Sequence, residues 1–407
     1  MRCGLLGRHL THSYSPQIHS YLGSYRYDIF EIEPEALGAF LQEKDFDGLN
    51  VTIPYKKDVI SYCDLLSPEA AMLGAVNTIV KTPDGRLIGH NTDYFGFSEM
   101  LRFSGLTVVG KKVLVLGSGG ASATVTAVLK NQGADVIVIS RDGENNYENL
   151  HLHKDAAVII NTTPVGMYPD NGSAPLSLSL FPKLEGVLDV IYNPARTALL
   201  LEAEKCGLVT QNGLYMLVAQ AKESAQWFTG TPINDEKISE IHGLLKSQME
   251  NIVLIGMPGC GKSTIGALLS QRLGRKLADT DQLIVETAGK TIPEIFASCG
   301  EEGFRKLETE VISHVAKQSG LIIATGGGCV TKSENYAYLH QNSKIIWLRR
   351  DISLLPTEGR PLSQSQKLND MYRIRVPLYE AFADQIIVID NATTPEETVD
   401  LILGGLK

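Results

Sequence analysis

Apolar runs alternate with amphipathic helical stretches along almost the whole chain, which predicts the α/β class with parallel sheets. At 407 residues the chain exceeds one ordinary core, so two or three domains are expected. Two glycine-rich loops, "VLVLGSGGAS" and "IVLIGMPGCGKST", each stand between an apolar run and a helical one. Both have the makings of a phosphate cradle. The predicted architecture is therefore a substrate-binding part, a dinucleotide-type part and a phosphate-loop domain.

Taken in order, "MRCGLLG", "YRYDIFEI" and "FDGLNVTI" read as strands of an opening unit over about residues 1–103, with helices between them. A second unit, 104–213, begins at "KKVLVLG" and continues through "ADVIVIS", "AAVIINT" and "GVLDVIY". "NGLYMLVAQAKESAQWF" is helical and apolar enough to pack back, so about 214–248 is grouped with 1–103, giving a 1–248 half. Helical spacing in "NDEKISEIHGLLKSQMEN" puts Ile238, Ile241, Leu244 and Leu245 on its buried side. At "IVLIG" a fresh strand opens the last domain, 249–407, with no Gly/Ser- or Pro-rich linker before it.

The composition, 43% hydrophobic and 20% charged, is that of a soluble globular protein. A formal net charge of −9 argues against a nucleic-acid partner, but leaves room for anionic small ligands held by a few local arginines. Six cysteines (Cys3, Cys63, Cys206, Cys260, Cys299, Cys329) are scattered without C-x-x-C spacing, as reduced thiols would be. The first residues, "MRCGLLGRHLTHSYS", lack the apolar core of a signal peptide, and no apolar run reaches membrane length. A cytoplasmic protein with no membrane partner is expected.

In "IVLIGMPGCGKST", Gly256, Gly261, Lys262 and Ser263 fit G-x-x-x-x-G-K-[ST]. Backbone N–H groups from Gly256 to Thr264, including Gly259 and Cys260, turn inward around phosphates. The lysine reaches the outer phosphates, and the serine hydroxyl ligates Mg²⁺. This predicts an ATP-type site. The earlier loop has Gly117, Gly119 and Gly120, then Ala121, in a strand-to-helix turn, with Ser122 where the strict dinucleotide fingerprint has its third glycine. The following strand ends at "ISRD". Ser140 and Arg141 there suit a 2′-phosphate, so NADP(H) is favoured over NAD despite Asp142 behind them.

A nicotinamide site needs an acid/base group for the substrate oxygen. Lysine can serve when a carboxylate orients it. Lys56 or Lys57 in "GLNVTIPYKK", with Asp93 in "GHNTDYFG", are the candidates. Taken singly, the lysines read equally as a solvated loop and Asp93 as a helix cap.

"HSYSPQIH", "GLNVTIPYK", "GAVNTIV", "NTDYFGF", "GSGGAS", "NTTPVGM", "DVIYNP" and "NGLYMLVAQA" stand in the order found in shikimate dehydrogenases, and about residues 1–245 resemble that family. The resemblance implies a Rossmann-like NADP(H) domain and reduction of 3-dehydroshikimate to shikimate. Carried over, Lys56 rather than Lys57 is the catalytic lysine and Asp93 its partner. Ser13 and Ser15 would grip the substrate carboxylate. Thr52, Asn77, Asp93 and Gln220 would bind ring hydroxyls, Tyr192 would line the pocket, and Gly213 would lie beside the nicotinamide. The family commonly has Asn-Arg-Thr where this chain has Ser140, Arg141 and Asp142.

After the second loop, "LADTDQLI" places Asp279 and Asp281 at alternate positions, on one side if the segment is extended. "GEEGFRKLE" offers Arg305, "ATGGGCV" a glycine turn, "EGRPLS" Arg360, and "YRIRVPLY" Arg373 and Arg375. Such arginines are surface ion pairs in one reading, and forks for a carboxylate and phosphoryl oxygens in the other. Residues 250–407 are similar to shikimate kinases. By that similarity Asp281 contacts the substrate hydroxyls and takes the proton, while Asp279 joins the Mg²⁺ shell. Arg305 and Arg375 hold the shikimate carboxylate, with Gly326, Gly327 and Gly328 against the ring. Lys262 and Arg360 neutralise the transferring phosphate, Arg360 from a lid. The lid is short, only "PTE" between "ISLL" and "GRPLS", with Leu355 or Pro356 near the place of an adenine-stacking arginine, so weakened ATP affinity or looser nucleotide choice is expected.

Together these readings describe a bifunctional enzyme of aromatic amino acid (chorismate) biosynthesis with small-molecule substrates. The competing enzyme reading is an NAD-using quinate/shikimate dehydrogenase joined to the same kinase. The competing class is a regulatory protein that senses pathway metabolites. It could dispense with Lys56, Asp93, Lys262 or Asp281, and all four are present.

Overall fold

The computed structural model describes residues 1–10, 13–355 and 368–406. They form two compact units: Met1–Val165, Ala174–Tyr192 and Glu202–Lys246 in the first, and Gly166–Ser173, Asn193–Leu201 and Ser247–Lys407 in the second.

The first unit holds two sheets. One runs β2–β1–β3–β5–β6–β4, from β1 (Arg2–Gly7), β2 (Arg26–Glu31), β3 (Gly48–Val51), β4 (Leu65–Leu66), β5 (Thr78–Lys81) and β6 (Leu87–His90). β1 pairs in parallel with β2 and β3, but β5 runs antiparallel to both β3 and β6, so this sheet is mixed rather than parallel. The reason lies in "TPDGR": Gly85 at φ +83° turns the chain straight back, which a parallel crossover could not do.

β3 is buried at every residue, as a strand covered on both faces should be. Its ladder ends at Val51, and the Tyr55 N–H then donates to the Thr52 carbonyl at 3.0 Å, curling the chain into a turn. Tyr55 plugs that turn into the core at 1% exposure, which leaves Lys56 partly exposed at the sheet's carboxyl edge and Lys57 in solvent.

The other sheet is wholly parallel and runs β11–β10–β9–β7–β8: β7 (Lys112–Leu116), β8 (Asp135–Ile139), β9 (Val158–Asn161), β10 (Gly186–Asp189) and β11 (Val209–Gln211). The strand order reverses at β7, the place where such sheets leave a crevice for a ligand. Around these sheets lie α1 (Ser15–Leu22), α2 (Thr92–Ser104), α3 (Gly120–Asn131), α4 (Leu214–Thr229) and α5 (Glu236–Met249). α2 and α4 pack along each other. They are tightly packed at Gly96, where a Cβ would stand 2.8 Å from the Met216 carbonyl oxygen. In α5, Ile238, Ile241 and Leu245 are fully buried, but Leu244 is 42% exposed: six residues beyond Ile238 it has turned off the apolar stripe.

The second unit is built on the parallel order β13–β14–β12–β15–β16: β12 (Asn251–Ile255), β13 (Leu277–Asp279), β14 (Ile322–Ala324), β15 (Ser343–Arg350) and β16 (Gln385–Ile389). Its helices include α6 (Lys262–Leu273), α7 (Thr280–Ala288), α8 (Ile292–Val315, kinked at Gly300) and α9 (Leu368–Phe382). The apolar residues of the central strands, at 252–255, 322–324 and 345–348, are almost unexposed, with Trp347 stacked on Tyr379 at 5.6 Å. Among the described residues no helix is long and apolar enough to cross a membrane, and all six cysteines are free.

Candidate active sites

In the first unit, the turn after β3 brings Lys56 Nζ to 2.5 Å from Asp93 Oδ2. Asp93 sits in the first turn of α2, yet it is not the cap, because Asn91 holds the N-cap position. The capping alternative for Asp93 therefore falls away, and its carboxylate serves Lys56. The preceding residue, Thr92, donates its backbone N–H to Asn77 Oδ1 at 2.7 Å, and Asn77 Nδ2 donates to Thr92 Oγ1 at 3.0 Å. Gln220 on α4 lies 3.5 Å from the same hydroxyl, and its Nε2 donates to the Leu217 carbonyl at 2.9 Å. Lys56, Asp93, Asn77 and Gln220 are thus brought to one place by β3, β5, α2 and α4.

Thr52 follows β3 with its backbone N–H on the Leu6 carbonyl at 2.9 Å. Ser15 opens α1, where its backbone N–H donates to Ser13 Oγ at 3.2 Å, so the two serines stand side by side. Between them Tyr14 meets Tyr192 edge-on at 6.1 Å, and burial raises the pKa of both phenols above the ordinary value. Gly213 is the N-cap of α4, and any Cβ there would collide with the Val190 backbone.

The β7–α3 loop closes with Gly117 at φ +106°, against Thr162. Gly119 caps α3 and Gly120 begins it, followed by Ala121. A Cβ on either glycine would meet nothing within 4 Å, so the loop is open on the side of the α3 N–H groups. Beyond β8 the Ser140 N–H donates to the Asn145 carbonyl at 3.1 Å, closing a loop on which Arg141 and Asp142 are exposed.

In the second unit, Gly256, Gly259 and Gly261 have φ of +146°, +86° and +105°, values that suit glycine and wind the loop into a concave turn. The Lys262 ammonium bridges this loop, donating to the carbonyls of Gly256 at 2.9 Å and Met257 at 3.1 Å. Ser263 Oγ donates to Asp279 Oδ2 at 2.7 Å. The strand ends at Asp279, whose other oxygen accepts from the Asp281 N–H at 3.0 Å and so caps α7. Asp279 and Asp281 are therefore a cap and a helix residue rather than alternate residues of one extended segment. They nevertheless line the same cavity of about 650 Å³, together with Arg305, Glu308, Gly326–Gly328 and Arg375.

Burial, then the Asp279 carboxylate, raise the Asp281 pKa above its ordinary value, against the opposite pull of Lys262 and Arg305. Arg305 donates to Glu308 Oε2 at 2.7 Å and Arg375 to the Gly327 carbonyl at 3.1 Å, while Arg373 points to solvent. Tyr379 also donates to the Gly327 carbonyl, at 2.5 Å. A Cβ on Gly328 would collide with the Arg305 guanidinium. Leu355 is buried, whereas Pro356, Arg360 and the rest of the short lid lie outside the described residues.

The shikimate dehydrogenase substrate-binding domain model matches residues 5–79, and the shikimate kinase model matches residues 258–407. A shikimate dehydrogenase (NADP(+)) of Clostridium perfringens is 34% identical over 265 residues, covering 60% of this chain and 97% of the relative. The chain belongs to the shikimate dehydrogenase family. Among solved structures, the dehydrogenase of Thermus thermophilus in complex with NADP(H) and shikimate is 33% identical with a TM-score of 0.55, over 60% of this chain and 98% of that one. A chorismate mutase/shikimate 5-dehydrogenase fusion from Clostridium acetobutylicum is 35% identical with a TM-score of 0.58, over 60% and 97%. The chain thus joins a shikimate dehydrogenase to a shikimate kinase domain.

The donor sets fit the cofactors of both families. The open α3 terminus with Gly119 and Gly120 can take the pyrophosphate of NADP(H), and the exposed Arg141 its 2′-phosphate. The concave loop before α6 can take the phosphates of ATP. Ser263 and Asp279 give Mg²⁺ one hydroxyl and one carboxylate, the sparse protein shell that ion takes when phosphates and water complete it.

Reading the sequence missed Glu308, fully buried one turn after Arg305, with Oε1 unpaired among the described residues and its pKa raised by burial. The signal was there in "FRKLE", an arginine and a glutamate at helical spacing three apart. It also missed Thr92, whose backbone N–H and hydroxyl both bond the Asn77 amide.

Proposed function

We propose that the first unit reduces 3-dehydroshikimate to shikimate and that the second phosphorylates the product to shikimate 3-phosphate. The observation that carries the first half is the Lys56–Asp93 pair at 2.5 Å, set beside Asn77 and Gln220. When bound, NADPH supplies the hydride of the first reaction, and ATP with Mg²⁺ the phosphoryl group of the second.

The chain's own work begins with binding. Ser13 and Ser15 take the substrate carboxylate, while Thr52, Asn77 and Gln220 take ring hydroxyls. As the carbonyl oxygen gains charge, Lys56 Nζ gives it a proton. Asp93 keeps the ammonium aimed and balanced by charge. Tyr192 and Gly213 close the pocket toward the nicotinamide side. In the kinase, Arg305 and Arg375 hold the carboxylate in forked contacts. Asp281, with its raised pKa, accepts the proton of the attacking hydroxyl, and Lys262 neutralises the phosphoryl oxygens, a task that Arg360, outside the described residues, would share.

The domain division is read as 1–248 and 249–407, with 1–103 and about 214–248 forming the substrate part around the NADP(H) part at 104–213. The enzyme works in the cytoplasm, where its cofactors are supplied.

Reciprocal variants test this reading. Lys56→Ala is expected to lower 3-dehydroshikimate reduction by about 100- to 10,000-fold with shikimate phosphorylation kept. Lys262→Ala is expected to do the reverse. Reduction within a few-fold of wild type in Lys56→Ala would remove the lysine from the mechanism.

A further inference from the structure

Under the dehydrogenase site lies a group of polar side chains that contact neither solvent nor, in the reading above, substrate. Thr78 on β5, Thr92 at the start of α2 and Ser224 on α4 form a triangle of hydroxyls: Thr78 to Ser224 is 2.9 Å, Thr92 to Ser224 is 3.0 Å and Thr78 to Thr92 is 3.2 Å. Asn50 on β3, the cross-strand partner of Thr78, donates from Nδ2 to Ser224 Oγ at 2.7 Å and to Thr78 Oγ1 at 3.2 Å. Its Oδ1 accepts from the Tyr27 hydroxyl at 2.7 Å. Thr78, Thr92 and Ser224 are at most 1% exposed and Asn50 is 5% exposed.

Around the triangle, the directions of the amide and backbone bonds can be assigned. A backbone N–H can only donate, so the atom of Asn77 facing the Thr92 N–H is the oxygen, and Nδ2 must face the Thr92 hydroxyl. That fixes the Asn77 amide and leaves it one N–H for a ligand. The Thr92 hydroxyl, having accepted from Asn77 Nδ2, has its own proton for Ser224, Thr78, Asn77 Oδ1 or Gln220 Oε1. Ser224 in turn donates to the Gln220 carbonyl at 2.9 Å, one turn back along α4. Gln220 spends one N–H on Leu217, so it too is left with one N–H and a carbonyl.

We propose that this buried hydroxyl triangle, Thr78, Thr92 and Ser224 anchored by Asn50 and Tyr27, is the positioning element that sets the Asn77 and Gln220 amides for the substrate's ring hydroxyls. It stands where four elements meet, and each carries a site residue close by: Thr52 after Asn50, Asn77 before Thr78, Asp93 after Thr92, and Gln220 one turn before Ser224. Valine and alanine would fill the same volume without polar groups to satisfy, and replacing a whole set of partners by apolar groups is close to neutral for stability. Stability alone does not call for hydroxyls here; orientation of two amides does. The inference rests on the dehydrogenase reading.

The test compares Thr78→Val, Thr78→Ser and Ser224→Ala in the full chain, measuring KM for 3-dehydroshikimate, KM for NADPH and the thermal midpoint. If the triangle positions the amides, Ser224→Ala and Thr78→Val raise KM for 3-dehydroshikimate by about 5- to 30-fold. KM for NADPH stays within about twofold, and Thr78→Ser, which keeps the hydroxyl, behaves as wild type. A packing role predicts the opposite order, since valine keeps the methyl that serine loses. Thr78→Ser worse than Thr78→Val, or both KM values moving together with the midpoint, would overturn the proposal. So would an unchanged KM in Ser224→Ala, a variant that removes one atom and does not depend on Thr78→Val folding. Wild-type turnover of 3-dehydroshikimate with flat variants would sink this inference alone. No wild-type turnover would sink the functional reading and this inference with it.

Discussion

Asn91 stands at the N-cap position of α2 with its amide turned to the Ala75 carbonyl, and Asp93, in the first turn, pairs with Lys56, although both residues are good capping types. That division of labour was not legible in "HNTDYFG", where either acid or amide could have closed the helix. The choice between Lys56 and Lys57 came from the resemblance, and its physical cause is Tyr55: once that ring is buried, its successor faces the site edge and the next residue faces water. At the kinase site the glycine turn was legible as a turn, but its strictest member was not. Gly328 has the Arg305 guanidinium where a side chain would stand. Gly328→Ala is therefore expected to displace Arg305 and lower shikimate phosphorylation by about 100-fold, with 3-dehydroshikimate reduction unchanged. Steady-state assay of both activities in one preparation checks this, and a kinase within a few-fold of wild type would contradict it.

At the scale of elements, apolar runs marked the long strands well because both faces of a parallel strand are buried. The β5–β6 hairpin escaped because its strands are only four residues each, and its one signal was the turn at Gly85. Asp279 and Asp281 were expected on an extended segment, but a carboxylate that can cap a helix ended the strand instead. The packing of the first unit also gives it a pH response. His19 on α1 is stacked on Tyr27 at 4.1 Å, and burial pushes its pKa down to about 3. Burial likewise takes His90 and His242 to about 4. In the unfolded chain these imidazoles bind protons below about pH 6.5, while in the folded one they stay neutral to much lower pH. Their contribution is therefore fully present above about 6.5 and is lost as pH falls, by up to about 1.4 kcal/mol per pH unit for a fully buried ring such as His19. The thermal midpoint of the first unit is expected to fall from pH 6.5 to 4, and His19→Phe to flatten that slope. A slope identical to wild type in scanning calorimetry would place the acid sensitivity elsewhere.

For the whole molecule, the alternation of strand and helix gave the class, and the two glycine loops gave the count of nucleotide sites. Composition could not give the chemistry, since a net charge of −9 conceals the local cations, Lys56 beside Asp93 and Lys262, Arg305 and Arg375 around the kinase-domain cavity. What joins the halves is a shared metabolite, because the alcohol made by the first reaction is the nucleophile of the second. The most direct measurement is a single reaction: purified chain with 3-dehydroshikimate, NADPH and MgATP, the products resolved by mass. Shikimate 3-phosphate, with NADPH oxidised and ADP released, is the expected result. A mixture that ends at 3-dehydroshikimate, or that stops at shikimate, would contradict it.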